Sequence, residues 1–228
     1  LNWVCMRLSR RGRTVLILVL LASSAAAQAV PRVFITNRGQ LDDTVLLATR
    51  WSGLSGVVQD GSLVLCVDPG LSDGHESGPV ALAVEGLGPG VLPDAHDASP
   101  GSFNFFVGQD TARWRSHVPG YRTVSWRDSA SGRELEIEST PRGPLLRWTF
   151  GAGANANHFE VGRMIGDVIS SADDSSLRIV GGKAWLRLLP PVARESLPDG
   201  RQRRVGCCYS SLVPDRLGVV VDRTDPGL

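Results

Sequence analysis

The chain has 228 residues, 42% hydrophobic and 21% charged, with 24 Lys and Arg against 23 Asp and Glu for a formal net charge of +1. That balance excludes intrinsic disorder, which needs low hydrophobicity with high net charge, and a chain-wide excess of basic residues for nucleic acid. Four cysteines are too few for a disulfide-stapled miniprotein, and the length allows one or two domains with a sizeable core.

Residues 1–29 read as a secretory signal peptide. Arg7, Arg10, Arg11 and Arg13 form a basic start, Val15 to Ala22 an apolar stretch, and Ser23 to Ala29 a small-residue region with Ala25-Ala26-Ala27 and Ala27-Gln28-Ala29 as cleavage sites. A bilayer span needs about 20 consecutive apolar residues, and this stretch turns small and polar too early. Ser9-Arg10-Arg11 hints at a twin-arginine signal, but the general export route fits better. Met6 would start a cleaner signal than Leu1, so Leu1 to Cys5 read as upstream translation or an alternative start. Removing residues 1–27 takes away four Arg and no acids, leaving 20 basic against 23 acidic residues, a net of −3. Such a mildly acidic product is not expected to bind nucleic acid or anionic lipid.

The remainder, 30–228, predicts an all-β domain with little helix, an antiparallel β-sandwich. Val33-Phe34-Ile35 stops at Asn37-Arg38-Gly39, and Thr44 to Thr49 is a second run. Val57-Val58-Gln59 and Ser62 to Val67 flank Asp60-Gly61, a hairpin signal. Pro79 to Val84 follows, and then Gly86 to Pro100, rich in Gly, Pro, Asp and Ala, predicts a long loop and the best internal boundary. Phe103 to Val107 is an aromatic strand closed by Gly108-Gln109-Asp110, and Tyr121 to Trp126 alternates. Leu135 and Ile137 between Glu134, Glu136 and Glu138 predict a half-buried strand with one wet face. Leu145 to Phe150 precedes a loop over Gly151 to Asn157. Leu177 to Val180 and Ala184 to Leu189 flank Gly181-Gly182; Val205 to Val213 and Leu217 to Val221 flank Pro214-Asp215-Arg216. The closest approach to a helical stripe is Phe159 to Ile169, weakened by Gly162 and Gly166. About a dozen short strands suit one large sandwich or two smaller packed ones, and no solenoid or propeller period appears.

No catalytic, cofactor-binding or metal-ligating residue is assigned. Gly53-Leu54-Ser55-Gly56 misses the spacing of a nucleophile elbow and reads better as a turn beside a hairpin. His75-Glu76 lacks a second histidine one helical turn on, and His96, His117 and His158 are scattered. The glycines at 86, 88 and 90 have no helix after them to cradle phosphate. Asp173-Asp174, with Ser170, Ser171, Ser175 and Ser176, offers hard oxygen ligands without calcium-loop spacing; a solvated turn is the better reading, as it is for Asp42-Asp43. Cys66, Cys207 and Cys208 leave two readings: one bridge from Cys66 to the adjacent pair, or, preferably, three small buried hydrophobes. Trp114 or Trp126 could serve as an exposed aromatic platform for sugar or peptide only if exposed.

One stretch carries a family signature. Asn104 to Pro119, reading N-F-F-V-G-Q-D-T-A-R-W-R-S-H-V-P, with Tyr121 and Trp126-Arg127-Asp128, resembles the amino-terminal domain of large exported bacterial proteins that carry SBBP-type β-propeller repeats. Phe34 to Gln40, Arg147 to Asn155, Pro191 to Arg201 and Val219 to Pro226 agree in order with further motifs of that family. Ala152 to Asn155 and Arg194-Glu195 depart from its usual wording. The resemblance implies a domain without assigned function, placed ahead of propeller repeats. Among the matched residues, Gly39 and Gly108 suit turns with positive φ, and Asp110 an Asx-turn. Trp114 is expected to pack inward while Arg113 and Arg115 face water, and Pro119 to end its strand. The expected function is that of a non-enzymatic exported module, extracellular, cell-surface or periplasmic. Its role would be assembly or adhesion, with downstream repeats or cell-surface components as partners. A carbohydrate-binding module that takes polysaccharide is the second reading, and a hydrolase with its site in the 86–100 or 151–158 loops the third.

Overall fold

The computed structural model describes residues 2–10, 13–21, 32–67, 80–85, 88, 90–152, 156–170, 176–181, 184–213 and 215–222. The fold is all-β and antiparallel, with one large sheet and a smaller one. Strands β1 (Asn2–Arg10) and β2 (Arg13–Leu21) pair only with each other, as a separate ribbon. The ribbon occupies the segment read as a signal, and no strand of the main sheet pairs with it.

The main sheet begins with β3 (Phe34–Thr36), β4 (Leu47–Trp51), β5 (Leu54–Gln59), β6 (Ser62–Val67) and β7 (Ala81–Glu85), each paired to the next. Alternation sets their faces: Leu47, Thr49 and Trp51 of β4 and Leu54, Gly56 and Val58 of β5 point inward. The β5–β6 turn falls at Asp60-Gly61 as the sequence predicts, with Gly61 at φ +68°. Strands β8 (Asp94–Phe105), β9 (Arg115–Asp128), β10 (Arg133–Thr140) and β11 (Gly143–Phe150) form the opposite branch. The predicted loop over 86–100 is therefore corrected: Asp94 to Pro100 belong to β8. This stretch gains its extended form from β9, which pairs with it from Asp94↔Ser125 onward. As an edge strand with two register shifts, β8 tolerates Pro100 and Gly101. Strands on both sides of residues 86–93 lie in the same sheet. Pro119 does not end β9 either, since it pairs with Ser102 inside the irregular ladder.

Strand β9 is where the sheet turns over. β8 runs along one of its edges; on the other, β3 pairs at Gly120 and Tyr121, and β10 takes over from Thr123. One edge with two successive partners forks the sheet, and the branches fold face to face. Trp51 of β4 donates its indole N–H to Ser139 Oγ of β10 at 3.0 Å, and Ser139 donates in turn to the Arg32 carbonyl. Phe34, Val58, Leu63 and Leu65 thereby share one core with Val124, Trp126, Leu135 and Ile137. The predicted wet face of β10 is present as well. Glu134 bonds Arg127 at 2.9 Å and Glu136 pairs with Arg147, so the carboxylates meet arginine as well as solvent.

The chain returns through β12 (His158–Ile165), which pairs with β7 on one side and with β18 (Arg216–Asp222) on the other. β17 (Gln202–Val213) and β16 (Ala193–Ser196) extend the sheet from β18. The small sheet is β13 (Asp167–Ser170), β14 (Leu177–Gly181) and β15 (Ala184–Leu188), with β15 against β6. The stretch nearest to a helical pattern, Phe159 to Ile169, thus forms strands, and its glycines mark a bulge and a positive φ rather than helix turns.

Tyr209 of β17 is half-buried and donates its hydroxyl to the Leu189 carbonyl at 2.6 Å. Burial, aided by the neighbouring Cys207 thiol, pushes its phenol up to about 12. The folded value exceeds that of an unfolded tyrosine, near 10, so this contribution is intact below pH 10 and is lost as pH rises from about 10 to 12. The unfolding free energy from urea titrations should therefore fall across that window by up to about 2 kcal/mol, and Tyr209→Phe should flatten the fall. An absorbance titration at about 295 nm should place one phenol near pH 12.

Candidate functional site

Two motif stretches distant in sequence meet on one surface. The first is the loop 37–42 after β3. Asn37 organises it: Nδ2 donates to the carbonyls of Asp42 and Val45, both at 2.8 Å, and Oδ1 accepts from the amides of Gly39 (2.9 Å) and Leu41 (3.1 Å). Gln40 is buried, donating to the Thr36 carbonyl and accepting from the Arg38 amide, both at 2.6 Å. Asp42 accepts from the Thr44 amide and hydroxyl, which hold its carboxyl below the usual range. That is an Asx-turn, the bland reading of Asp42-Asp43.

The second stretch is the excursion between β8 and β9. Asn104 Oδ1 accepts from the His117 amide at 3.0 Å and closes its neck. Gly108 has φ +75°, and Asp110 caps a single 3-10 turn, Thr111–Arg113, by accepting from the Ala112 amide at 3.0 Å. Both local expectations hold. Of the flanking residues, Arg113 faces water as expected, whereas Trp114 and Arg115 depart from their expectation. Trp114 is 41% exposed, because the 3-10 turn breaks the strand alternation that would have turned it inward. It meets Phe106 edge-on, centroids 5.6 Å apart, and its N–H reaches the Gly108 carbonyl at 3.3 Å. Arg115 does more than face water: it donates to the carbonyls of Ala112 and Trp114 and, across to the first loop, of Arg38. Gly39, at φ +97°, lies under that guanidinium, and a Cβ there would come within 2.6 Å of Arg115 Nη2.

Between the stretches lies a cleft of about 340 Å³. Buried Gln40 and Leu41 line it with half-buried Phe105 and Val107; exposed Gln109, Asp110 and Arg113 also line it. Asp110 and Arg113 approach to 4.0 Å. The same arm carries Asp97 (φ 59°) and His117 (φ 56°), the two non-glycine residues with positive φ among the described residues, a strain the ordinary twist of a ladder does not require. At this cleft Asn37, Gln40, Asn104 and Arg115 are engaged in holding backbone, whereas Phe106, Gln109, Arg113 and Trp114 are exposed. The prediction at this site is that Asn37→Ala costs roughly 2–3 kcal/mol in urea unfolding, since four backbone groups lose their partner together.

The other sequence-level candidates fall elsewhere. Trp126 is fully buried, which leaves Trp114 as the exposed member of the pair. Gly53 sits in the β4–β5 turn at φ +74°. His96, His117 and His158 lie on β8, β9 and β12. His158 Nε2 comes within 3.5 Å of Ser210 Oγ, a contact that the sequence does not signal because β18 separates the two strands. Among the described residues no three His, Cys, Asp or Glu side chains gather as a metal site. His75-Glu76, Asp173-Asp174, Gly86 and residues 153–155 lie outside the described residues. None of Cys66, Cys207 and Cys208 is in a disulfide, so the bridge does not form. Cys208 is exposed and Cys66 and Cys207 are only half-buried, which corrects the reading of three buried residues; partial burial raises the Cys207 thiol.

A family model described as a domain of unknown function, DUF7948, matches residues 34–227. No curated protein and no solved structure matches the chain.

Proposed function

As the chain belongs to the DUF7948 family, a domain of unknown function, we propose that it is a non-catalytic, exported module of a bacterial envelope or extracellular protein. It acts in assembly or adhesion ahead of β-propeller repeats, through the surface built by 37–42 and 105–115. The observation that carries this reading is the Asn37–Gln40–Arg115 network: polar groups that an enzyme would aim at a substrate are bonded to main chain, and they fix an outward aromatic pair. The basic and apolar order of residues 7–29 supports export.

Two measurements test it. An antibody to residues 30–228, used on fractionated source cells, should find the product outside the cytoplasm; a product confined to the cytoplasm sinks the export reading. Trp114→Ala should impair attachment or assembly while leaving the unfolding midpoint nearly unchanged. An activity on a small substrate, lost on changing one polar residue, would replace the module reading with an enzyme.

The exposed Phe106–Trp114 pair also favours a second reading, a carbohydrate-binding module. Aromatic faces with adjacent polar groups accept sugar rings. A Trp fluorescence titration with neutral polysaccharides should then respond, and Trp114→Ala should abolish the response.

A further inference from the structure

The chain-wide charge balance conceals a local excess. Residues 176–204 hold seven basic side chains against two acidic ones, a net of +5, whereas the rest of 30–228 holds thirteen against twenty-one, a net of −8. This segment supplies β14, β15 and β16 and enters β17. Its register twice sets arginine opposite arginine: Arg178↔Arg187 between β14 and β15, and Arg194↔Arg204 between β16 and β17. All four are exposed. Like charges directly opposite one another destabilise a strand pair, and an anion seated between them reverses the sign of that interaction.

Beside the first pair stands an aromatic ring. Val180 pairs with Trp185, so Arg178, Val180, Trp185 and Arg187 share one face of the small sheet, while Leu177 and Ile179 are buried on the other. The Arg178 guanidinium lies 5.5 Å from the Trp185 ring centroid, yet Trp185 stays 56% exposed. Arg187 is oriented by its Nε, 3.3 Å from Ser176 Oγ. Seven residue steps separate Arg187 from Arg194, a reach of at most about 25 Å. The bond from Tyr209 to the Leu189 carbonyl ties that connection to β17.

We propose that this face is a binding site for a carboxylated polysaccharide. The paired guanidinium forks clamp a uronate carboxylate, and the open part of the Trp185 ring takes the apolar face of the adjoining sugar. Planar arginine forks match carboxylates in a way that lysine does not. An aromatic ring adds what a purely electrostatic anion patch would lack. The choice of polysaccharide over another polyanion rests on the export reading above; the location of the site does not.

The test is affinity electrophoresis of the full chain in gels holding polygalacturonate, a neutral dextran, or single-stranded DNA at matched charge. Retention by polygalacturonate, falling with added salt, and none by dextran is expected. Trp185→Ala and the double variant Arg178→Glu/Arg187→Glu should each weaken it about tenfold or more, because ring and fork both contribute. Arg178→Lys/Arg187→Lys, which keeps the charge, should recover only part of it, and Trp114→Ala at the loop cleft should bind fully. All these positions are exposed, so circular dichroism and unfolding midpoints should match the parent chain. Retention by DNA at least as strong as by polygalacturonate overturns the proposal. So does retention indifferent to Trp185 and the arginine pair. If the fractionation shows a cytoplasmic product while retention and its variants behave as expected, the site stands and the export reading falls.

Discussion

Gly162→Ala is expected to be among the most damaging single-methyl changes in this chain, lowering stability by about 4 kcal/mol or more and detaching the C-terminal strands. Gly162 sits at the bulge of β12, between β7 and β18. A Cβ there would run into the Ala83 carbonyl oxygen and lie 2.9 Å from both the Ala83 carbonyl carbon and Val84 Cα. These are backbone atoms of an interior strand, so no rotamer change relieves the clash. Relief needs β12 to retreat from β7, which breaks the pairs Gly162↔Val84, Arg163↔Ala83 and Met164↔Leu82. β12 is also the strand through which β18, β17 and β16 join the rest of the sheet. The surface pairs Arg163–Glu85 (2.7 Å) and Arg216–Glu160 (2.6 Å) cannot hold the joint alone, being worth at most about 1 kcal/mol each in such exposure. Gly53→Ala is the control. Gly53 needs its φ of +74° but has open space around it, so the change should cost only about 1–2 kcal/mol of backbone strain. If urea denaturation finds Gly162→Ala no worse than Gly53→Ala, close approach at β7 is not what fixes residue 162.

Local rules read this fold well and long-range ones poorly. The hairpin at Asp60-Gly61 and the alternation of Leu135 and Ile137 are settled by neighbours a few residues away, and the sequence displays them. β8 was hidden because Asp94 to Pro100 have a loop composition; only β9, more than twenty positions downstream, supplies the hydrogen bonds that extend them. The exposure of Trp114 escapes the sequence for a related reason. Alternation with Arg113 and Arg115 assumes an unbroken strand, and the Asp110 cap inserts a 3-10 turn before it. Of the candidate site, Gly39, Gly108 and Asp110 were legible because their roles are conformational and local. The bond from Arg115 to the Arg38 carbonyl joins residues 77 apart, and no spacing rule announces it. Glycine at 162 was likewise visible only as a residue unsuited to helix; its actual role depends on how near β7 comes.

The same distinction between visible residue and invisible partner governs Trp126. Trp126→Ala is expected to cost roughly 3–5 kcal/mol, the range for emptying a buried indole site. The ring is 0% exposed and sits on β9 just beyond the hand-over from β3 to β10, where both branches of the sheet converge on one core. Leu135 is its cross-strand partner and Val124 is buried two residues before it. Emptying this position leaves a cavity between branches otherwise tied by the Trp51–Ser139 bond, and neither β9 nor β10 can collapse inward without losing its ladder. Trp126→Phe should behave differently. The indole N–H has no acceptor among the described residues, and a buried unpaired donor costs about 1–3 kcal/mol. Phenylalanine deletes that donor while filling most of the volume, so the two effects largely offset and the net cost should stay below about 1.5 kcal/mol. Urea denaturation of the two variants decides the matter. A large gap between Ala and Phe means that shape is what the core requires at 126. Equal, severe losses would mean that the N–H is satisfied in solution and that Trp126 is held by a polar contact.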